Sequence, residues 1–191
     1  TWITPIPSAT ESPTIAVFLV SRPSFTTSLI PVIAIMAKTE TKAGDMESVA
    51  QKKDKAFQEY LDTNKISGFG KQYAGEKGEV VIYRSNLQVK DATIPFMILL
   101  DNSVYTLLQF QVAAGAVKPE KKEKLSAYFN DLNNQYRMLK FTCDAAGNVL
   151  LSVSIPAGAP HFEPALVIAL LNEVEKLLDQ EYDHLMAKLK E

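Results

Sequence analysis

Phe129-Asn130-Asp131-Leu132-Asn133-Asn134-Gln135-Tyr136 ends a helix and leads directly into two alternating strands joined by the turn Asp144-Ala145-Ala146-Gly147-Asn148. Upstream, Leu125, Phe129, Leu132 and Tyr136 fall on one helical face at spacings of three and four. Pro119 suits the first turn of that helix, which is expected to run to about Arg137. Burying the four stripe residues contributes roughly 6–12 kcal/mol before chain entropy is charged. A helix that runs into a hairpin, with strands before it and a helix after it, fixes a topology.

Working backward, three strands are expected at 79–89, 94–101 and 104–112. Asp101-Asn102-Ser103 and Lys90-Asp91-Ala92-Thr93 supply turn chemistry between them, and connections this short imply antiparallel neighbours. Before these strands, a helix is expected over 46–64. Val49, Lys53, Ala56, Phe57, Tyr60 and Leu61 share one of its faces, and Lys52, Asp54, Lys55 and Glu59 the other. Gly68 marks its stop. Working forward, strand four (138–144) and strand five (149–155) form the hairpin. Pro156, Gly158 and Pro160 then interrupt regular structure before a last helix to about Lys188, with Leu171, Val174, Leu178, Leu185 and Leu189 inward. The fold class is α+β, in the order α-β-β-β-α-β-β-α, with a five-stranded antiparallel sheet packed against helices.

Composition bounds what such a chain does. Of its 191 residues 47% are apolar and 22% charged, and the net charge is −2. Neither a nucleic-acid partner nor an anionic membrane surface is expected at that charge. The lone Cys143 has no internal disulfide partner, and a cytoplasmic setting is expected. The first 35 residues differ: five prolines, and only Glu11 and Arg22 charged. Their apolar runs, 15–20 and 29–36, are shorter than a membrane span, and no basic region precedes the first. Met36-Ala37-Lys38-Thr39 reads like a natural start. Residues 1–45 are therefore expected to be a disordered or non-native leader, and residues 46–191 a single domain.

Chemistry is sparse. The segment from Gly68 to Gly78 holds four of the eight glycines. It lacks the Gly-Lys-Ser/Thr ending and following helix of a phosphate loop, and reads as a flexible connection. His161 precedes Glu163 in a His-x-Glu pattern, but the cysteine pair that a zinc deaminase needs is absent. His184 with Asp179 or Glu181 would be a weak metal pair on one exposed helix, and a solvated acidic face is the favoured reading. Cys143 reads as a buried strand cysteine rather than a nucleophile. Lys118, Lys121, Lys122 and Lys124 alternate with Glu120 and Glu123, the pattern of a solvated surface. Asn130, Asn133, Asn134 and Gln135 are placed to satisfy the chain where it turns into strand four. No catalytic residue, cofactor or metal is expected.

Strand alternation carries the functional signal. In strand five Val149, Leu151, Val153 and Ile155 oppose Ser152 and Ser154, as one wet face requires. Strands two and three differ. Ile94, Phe96, Ile98 and Leu100 oppose Met97 and Leu99, and Leu108 and Phe110 oppose Tyr105 and Leu107. Helices cover one side of such a half-sheet. The other side is a bent sheet's own core or an apolar surface for a partner. Met97, Leu99, Tyr105 and Leu107 are accordingly the candidate partner-binding residues.

The element order resembles the type III secretion chaperone-like fold. Within it, Leu125 to Ile155 resembles the YbjN family, whose second helix ends in an Asn-containing Leu-Asn run before a hairpin. Here that run is Leu132-Asn133-Asn134-Gln135-Tyr136, followed by Leu139-Lys140-Phe141 and the turn and strand from Asp144 to Val149. The likeness extends more loosely over residues 57–182. The segment Pro95-Phe96-Met97-Ile98 lacks the tryptophan of many YbjN members, and the leader has no counterpart. The resemblance implies a small cytoplasmic homodimer without catalytic groups. The secretion chaperones hold an extended effector segment on apolar patches, whereas YbjN-like proteins are regulators. The function expected is a non-enzymatic protein-interaction domain, chaperone-like or regulatory, partnered by itself and by an unknown client protein. A small-ligand sensor with a pocket between sheet and helices is the alternative.

Overall fold

Ser48 opens the first helix, α1 (Val49–Thr63), with a capping box. Its hydroxyl accepts from the Gln51 N–H, while the Gln51 side chain accepts from the Ser48 N–H. The helix ends before Gly68. Lys65 takes the left-handed conformation, φ 54°, and the Lys65 and Ile66 N–H groups donate back to Asp62 and Leu61. That is a Schellman closure made without glycine, with Ile66 packed onto the core.

The chain is described here by a computed structural model that covers residues 47–75 and 78–191; the expected leader, 1–45, lies outside the described residues. After α1 the strands are β1 (Gly70–Ala74), β2 (Val80–Val89), β3 (Ala92–Asp101) and β4 (Tyr105–Ala113). A 3-10 turn at Pro119–Lys121 leads into α2 (Lys122–Gln135). Then come β5 (Leu139–Cys143), β6 (Val149–Pro156), a second 3-10 turn at Ala159–His161, and α3 (Pro164–Lys190). All strand pairs are antiparallel in the order β1-β2-β3-β4-β6-β5.

The sheet has six strands, not five. The glycine-rich segment read as a connection supplies the sixth, with Gly70 to Ala74 paired against Arg84 to Val80. Its residues are mostly exposed, so it carries little apolar periodicity of its own. Pairing to β2 makes it a strand.

The turns are built as their residues suggest. The Asp101 carboxylate accepts from the Ser103 N–H at 3.0 Å and hydroxyl at 2.6 Å. Lys90 and Asp91 form a two-residue hairpin turn with Lys90 at φ 52°. Asp144 accepts from both the backbone and side-chain N–H groups of Asn148, whose own amide oxygen accepts from the Gly115 N–H.

Three helices cover one face of the sheet. Phe57 and Leu61 of α1, Leu125, Phe129 and Leu132 of α2, and the Leu171–Leu189 stripe of α3 join one buried cluster. That cluster includes Val81, Tyr83, Ile98, Leu108, Phe110, Phe141, Leu151 and Val153 from the sheet. Phe129 stacks on Phe141, and the Phe57 ring stands edge-on to Tyr83 at 4.9 Å. Tyr136, the last stripe residue of α2, is only half-buried and donates to Glu181 at 2.9 Å.

Candidate functional site

Because side chains alternate along a strand, register sorts the sheet into two faces. Gly70, Arg84, Met97, Gln109, Ser152 and Lys140 form one continuous row across all six strands. Beside it runs a second row, Gln72, Ile82, Leu99, Leu107 and Ser154. Both rows belong to the face opposite the helices. Ile82, Met97 and Leu150 are buried, yet all three stand outside the cluster that the helices share. Leu99 and Leu107 are half-buried, and Tyr105 is 51% exposed at the end of β4. The four candidate residues thus lie on one face, with Met97 the most enclosed.

That face divides into two zones. Near the β3–β4 turn it is apolar: Ile82, Leu99, Leu107 and Tyr105. Farther along, Arg84, Pro95, Met97, Gln109, Gln111 and Leu150 line a shallow dimple with room for no more than about one water. Gln109 is buried, and its Oε1 has no hydrogen-bond partner, while its Nε2 makes a long 3.4 Å contact to Ser152. Arg84 forms no ion pair among the described residues. Arg84, Gln109 and Leu150 were not singled out from the sequence, although alternation in Val80–Val89 places Arg84 opposite Tyr83.

A second polar constellation sits under the helices. Asp54 of α1, expected on the solvent face, is buried. Its carboxylate accepts from Tyr83 at 2.5 Å, pairs with Lys71 at 2.7 Å, and accepts a longer bond from Tyr73. Burial, then hydrogen bonding to Asp54, pushes the Tyr83 phenol well above its ordinary range. Burial works against the Lys71 ammonium, but its hydrogen bonds to Asp54, Tyr73 and Tyr83 more than offset it and raise its pKa. The neighbouring Lys53 is fully buried and donates to the carbonyls of Ser103 and Tyr105 at 2.9 and 2.7 Å. Desolvation lowers its pKa, partly countered by Asp101. Each of these groups is consumed by a partner within the fold: the network clamps β1 and the β3–β4 turn to α1.

The remaining candidates are scattered. His161 is exposed in the turn before α3, and exposed His184 lies against Tyr128 at 5.6 Å. Glu181 is taken by Tyr136. Cys143 is half-buried on β5, and desolvation raises its pKa, with Lys122 opposing. Among the described residues no group of three His, Cys, Asp or Glu side chains is placed to hold a metal ion. None of their helices is long and apolar enough to cross a membrane. The lysine cluster is more engaged than a solvated surface. Lys121 donates to the last carbonyls of α3, and Lys122 to Asp144. Of the amide group, Asn133 makes two bonds to Phe141, while Asn130 and Asn134 are exposed.

The hairpin after α2, its asparagine anchor and most of the long final helix fall within residues 86–187, the stretch matched by the sequence profile of the YbjN family, described as "Putative bacterial sensory transduction regulator". The chain belongs to the YbjN family. The match spans just over half of it, from β2 through most of α3. A comparison with curated proteins returned no match. Among solved structures, the crystal structure of the ExsC–ExsE complex is similar at a TM-score of 0.41 and 17% identity, over 70% of this chain and 95% of that one. The YbjN description is that of a regulator.

Proposed function

We propose that this YbjN-family chain is a non-enzymatic protein-interaction domain, regulatory or chaperone-like. In this reading it acts in the cytoplasm as a homodimer paired through the Leu99–Leu107–Tyr105 end of its outer sheet face. The observation that carries the reading is the joining of all three helical stripes to one face. Among the described residues the opposite face has an apolar zone and no helix upon it. Six strands at ~4.8 Å spacing, the longest ten residues, span roughly 24 by 30 Å. That is the whole face, shared between the apolar end and the zone of Arg84, Met97 and Gln109. The dimple on this face offers no comparable support for a small-ligand sensor, because it holds about one water.

Sedimentation velocity over micromolar concentrations tests the pairing. The parent chain is expected to sediment as a dimer, and Leu107→Lys and Leu99→Lys as folded monomers. A parent that stays strictly monomeric overturns the homodimer.

A further inference from the structure

We propose that the second zone of the outer face, centred on Arg84, Met97 and Gln109, receives an extended segment of a partner protein that carries an acidic side chain beside an apolar one. This rests on the reading of the chain as an interaction domain and names the chemistry of what it holds. Three observations converge. Arg84 is half-buried, cationic and without an ion-pair partner among the described residues. Gln109, in register with it across Met97, is 8% exposed and holds a buried Oε1 with no donor. The dimple between them is floored by Met97 and walled by Pro95 and Leu150.

Each group lacks what an extended acidic segment supplies. A carboxylate pairs with the planar guanidinium fork of Arg84. By turning its side chain outward, Gln109 accepts from a main-chain N–H of the segment and relieves an Oε1 whose burial without a donor is costly. A flanking aliphatic side chain fits over Met97, whose flexible thioether adapts to irregular apolar partners. Charge supports the choice. Lys140 closes the same row roughly 19 Å from Arg84, four strand spacings away. Register gives this face one carboxylate, Asp101, and that is already engaged by Ser103 at the turn. A second copy laid on this zone therefore has no free carboxylate of its own outer face to offer Arg84, which favours a different acidic polypeptide.

The test uses the full chain, isotope-labelled, and two acetylated, amidated ten-residue peptides in a Gly-Ser frame. One has a single Glu between two Leu, and its twin has Gln in place of that Glu. The Glu peptide is expected to shift the Met97 methyl and Gln109 side-chain amide resonances, with the Gln twin binding at least tenfold more weakly. In Arg84→Gln the two peptides are expected to bind alike. Equal affinity of both peptides for the parent, with shifts at Met97, overturns carboxylate recognition and leaves the interaction reading standing. Absence of shifts at Met97 and Gln109 with either peptide overturns this site altogether. Sedimentation of Leu107→Lys judges the pairing zone independently.

Discussion

Asn133 and Phe141 are joined by a reciprocal pair of hydrogen bonds: the Asn133 amide donates to the Phe141 carbonyl at 3.1 Å and accepts from its N–H at 2.6 Å. A side chain on α2 thus does what a neighbouring strand does, satisfying both backbone groups of one residue on the outer edge of β5. Edge strands are templates for unwanted pairing, and this one is partly closed by its own helix. The opposite edge, β1, has no such amide against it among the described hydrogen bonds.

Asn133→Ala leaves both Phe141 groups without those partners and is expected to destabilise the fold by about 1–3 kcal/mol. Asn133→Asp is expected to be worse, because it sets a carboxylate against the Phe141 carbonyl. Urea denaturation checks the order. An alanine variant with the parent midpoint would remove the bridge from the stability of the fold.

Leu132 immediately precedes Asn133 and is 4% exposed within the central cluster. Leu132→Asp buries a charge with no partner there and is expected to cost at least about 3 kcal/mol. Leu132→Met, which preserves volume, is expected to cost less than about 1.5 kcal/mol. Thermal melts of the two variants separate charge from shape. A melting temperature for the aspartate variant equal to the parent's would overturn the placement of Leu132.

The sequence was readable wherever period alone decides. The α3 stripe, the alternation of β3 to β6 and the Asp101 and Asp144 turns all declare themselves locally, and the structure has them where that local physics puts them. Strand β1 does not declare itself. Gly70-Lys71-Gln72-Tyr73-Ala74 has no apolar alternation, and its conformation is imposed by β2, a nonlocal partner. Asp54 was misassigned for a related reason. On α1 it sits about 100° from the buried Lys53, where a polar residue reads as solvent-facing, and only Tyr83 and Lys71 from distant strands make burial tolerable. The end of α1 lies near Asn64, as its pattern predicts, but the left-handed residue that closes it is Lys65 and not the stop glycine Gly68. At the outer face, Met97, Leu99, Tyr105 and Leu107 follow from alternation. Arg84 and Gln109 join them only through strand register, which a single sequence does not print.

Two glycines at positive φ offer a controlled comparison of strain with collision. Gly147 has φ +80°, and a Cβ there would lie 2.4 Å from the Val117 carbonyl oxygen. Gly115 has φ +56° with nothing within 4 Å of the same atom. Gly115→Ala is expected to cost only the left-handed conformational penalty, about 1–2 kcal/mol. Gly147→Ala adds displacement of the 113–117 loop and loss of the Val117 N–H to Gly147 bond, so its cost should exceed that of Gly115→Ala by about 1 kcal/mol or more. Equal costs in urea titrations would show that Val117 yields freely.

Alkaline stability reports on the clamp beneath the helices. Burial and the bond to Asp54 raise the Tyr83 phenol above its ordinary 10.0, so the folded chain keeps a proton that the unfolded chain releases above pH 10.0. The stability this contributes is complete below pH 10.0 and is lost as pH rises further. Lys71, also raised, acts in the same direction above its ordinary 10.5. Lys53, lowered by desolvation, acts in the opposite direction, since its charging penalty fades as pH climbs toward 10.5. Tyr83→Phe removes the first contribution together with the share that Tyr83 gives to Lys71. At pH 7 it is expected to lose about 1.5–3 kcal/mol with the bond to the charged Asp54. Between pH 10 and 11 its urea midpoint should fall less steeply than the parent's. Parallel slopes in that window would mean that Tyr83 does not hold its proton through Asp54, and that the clamp rests on Lys71 alone.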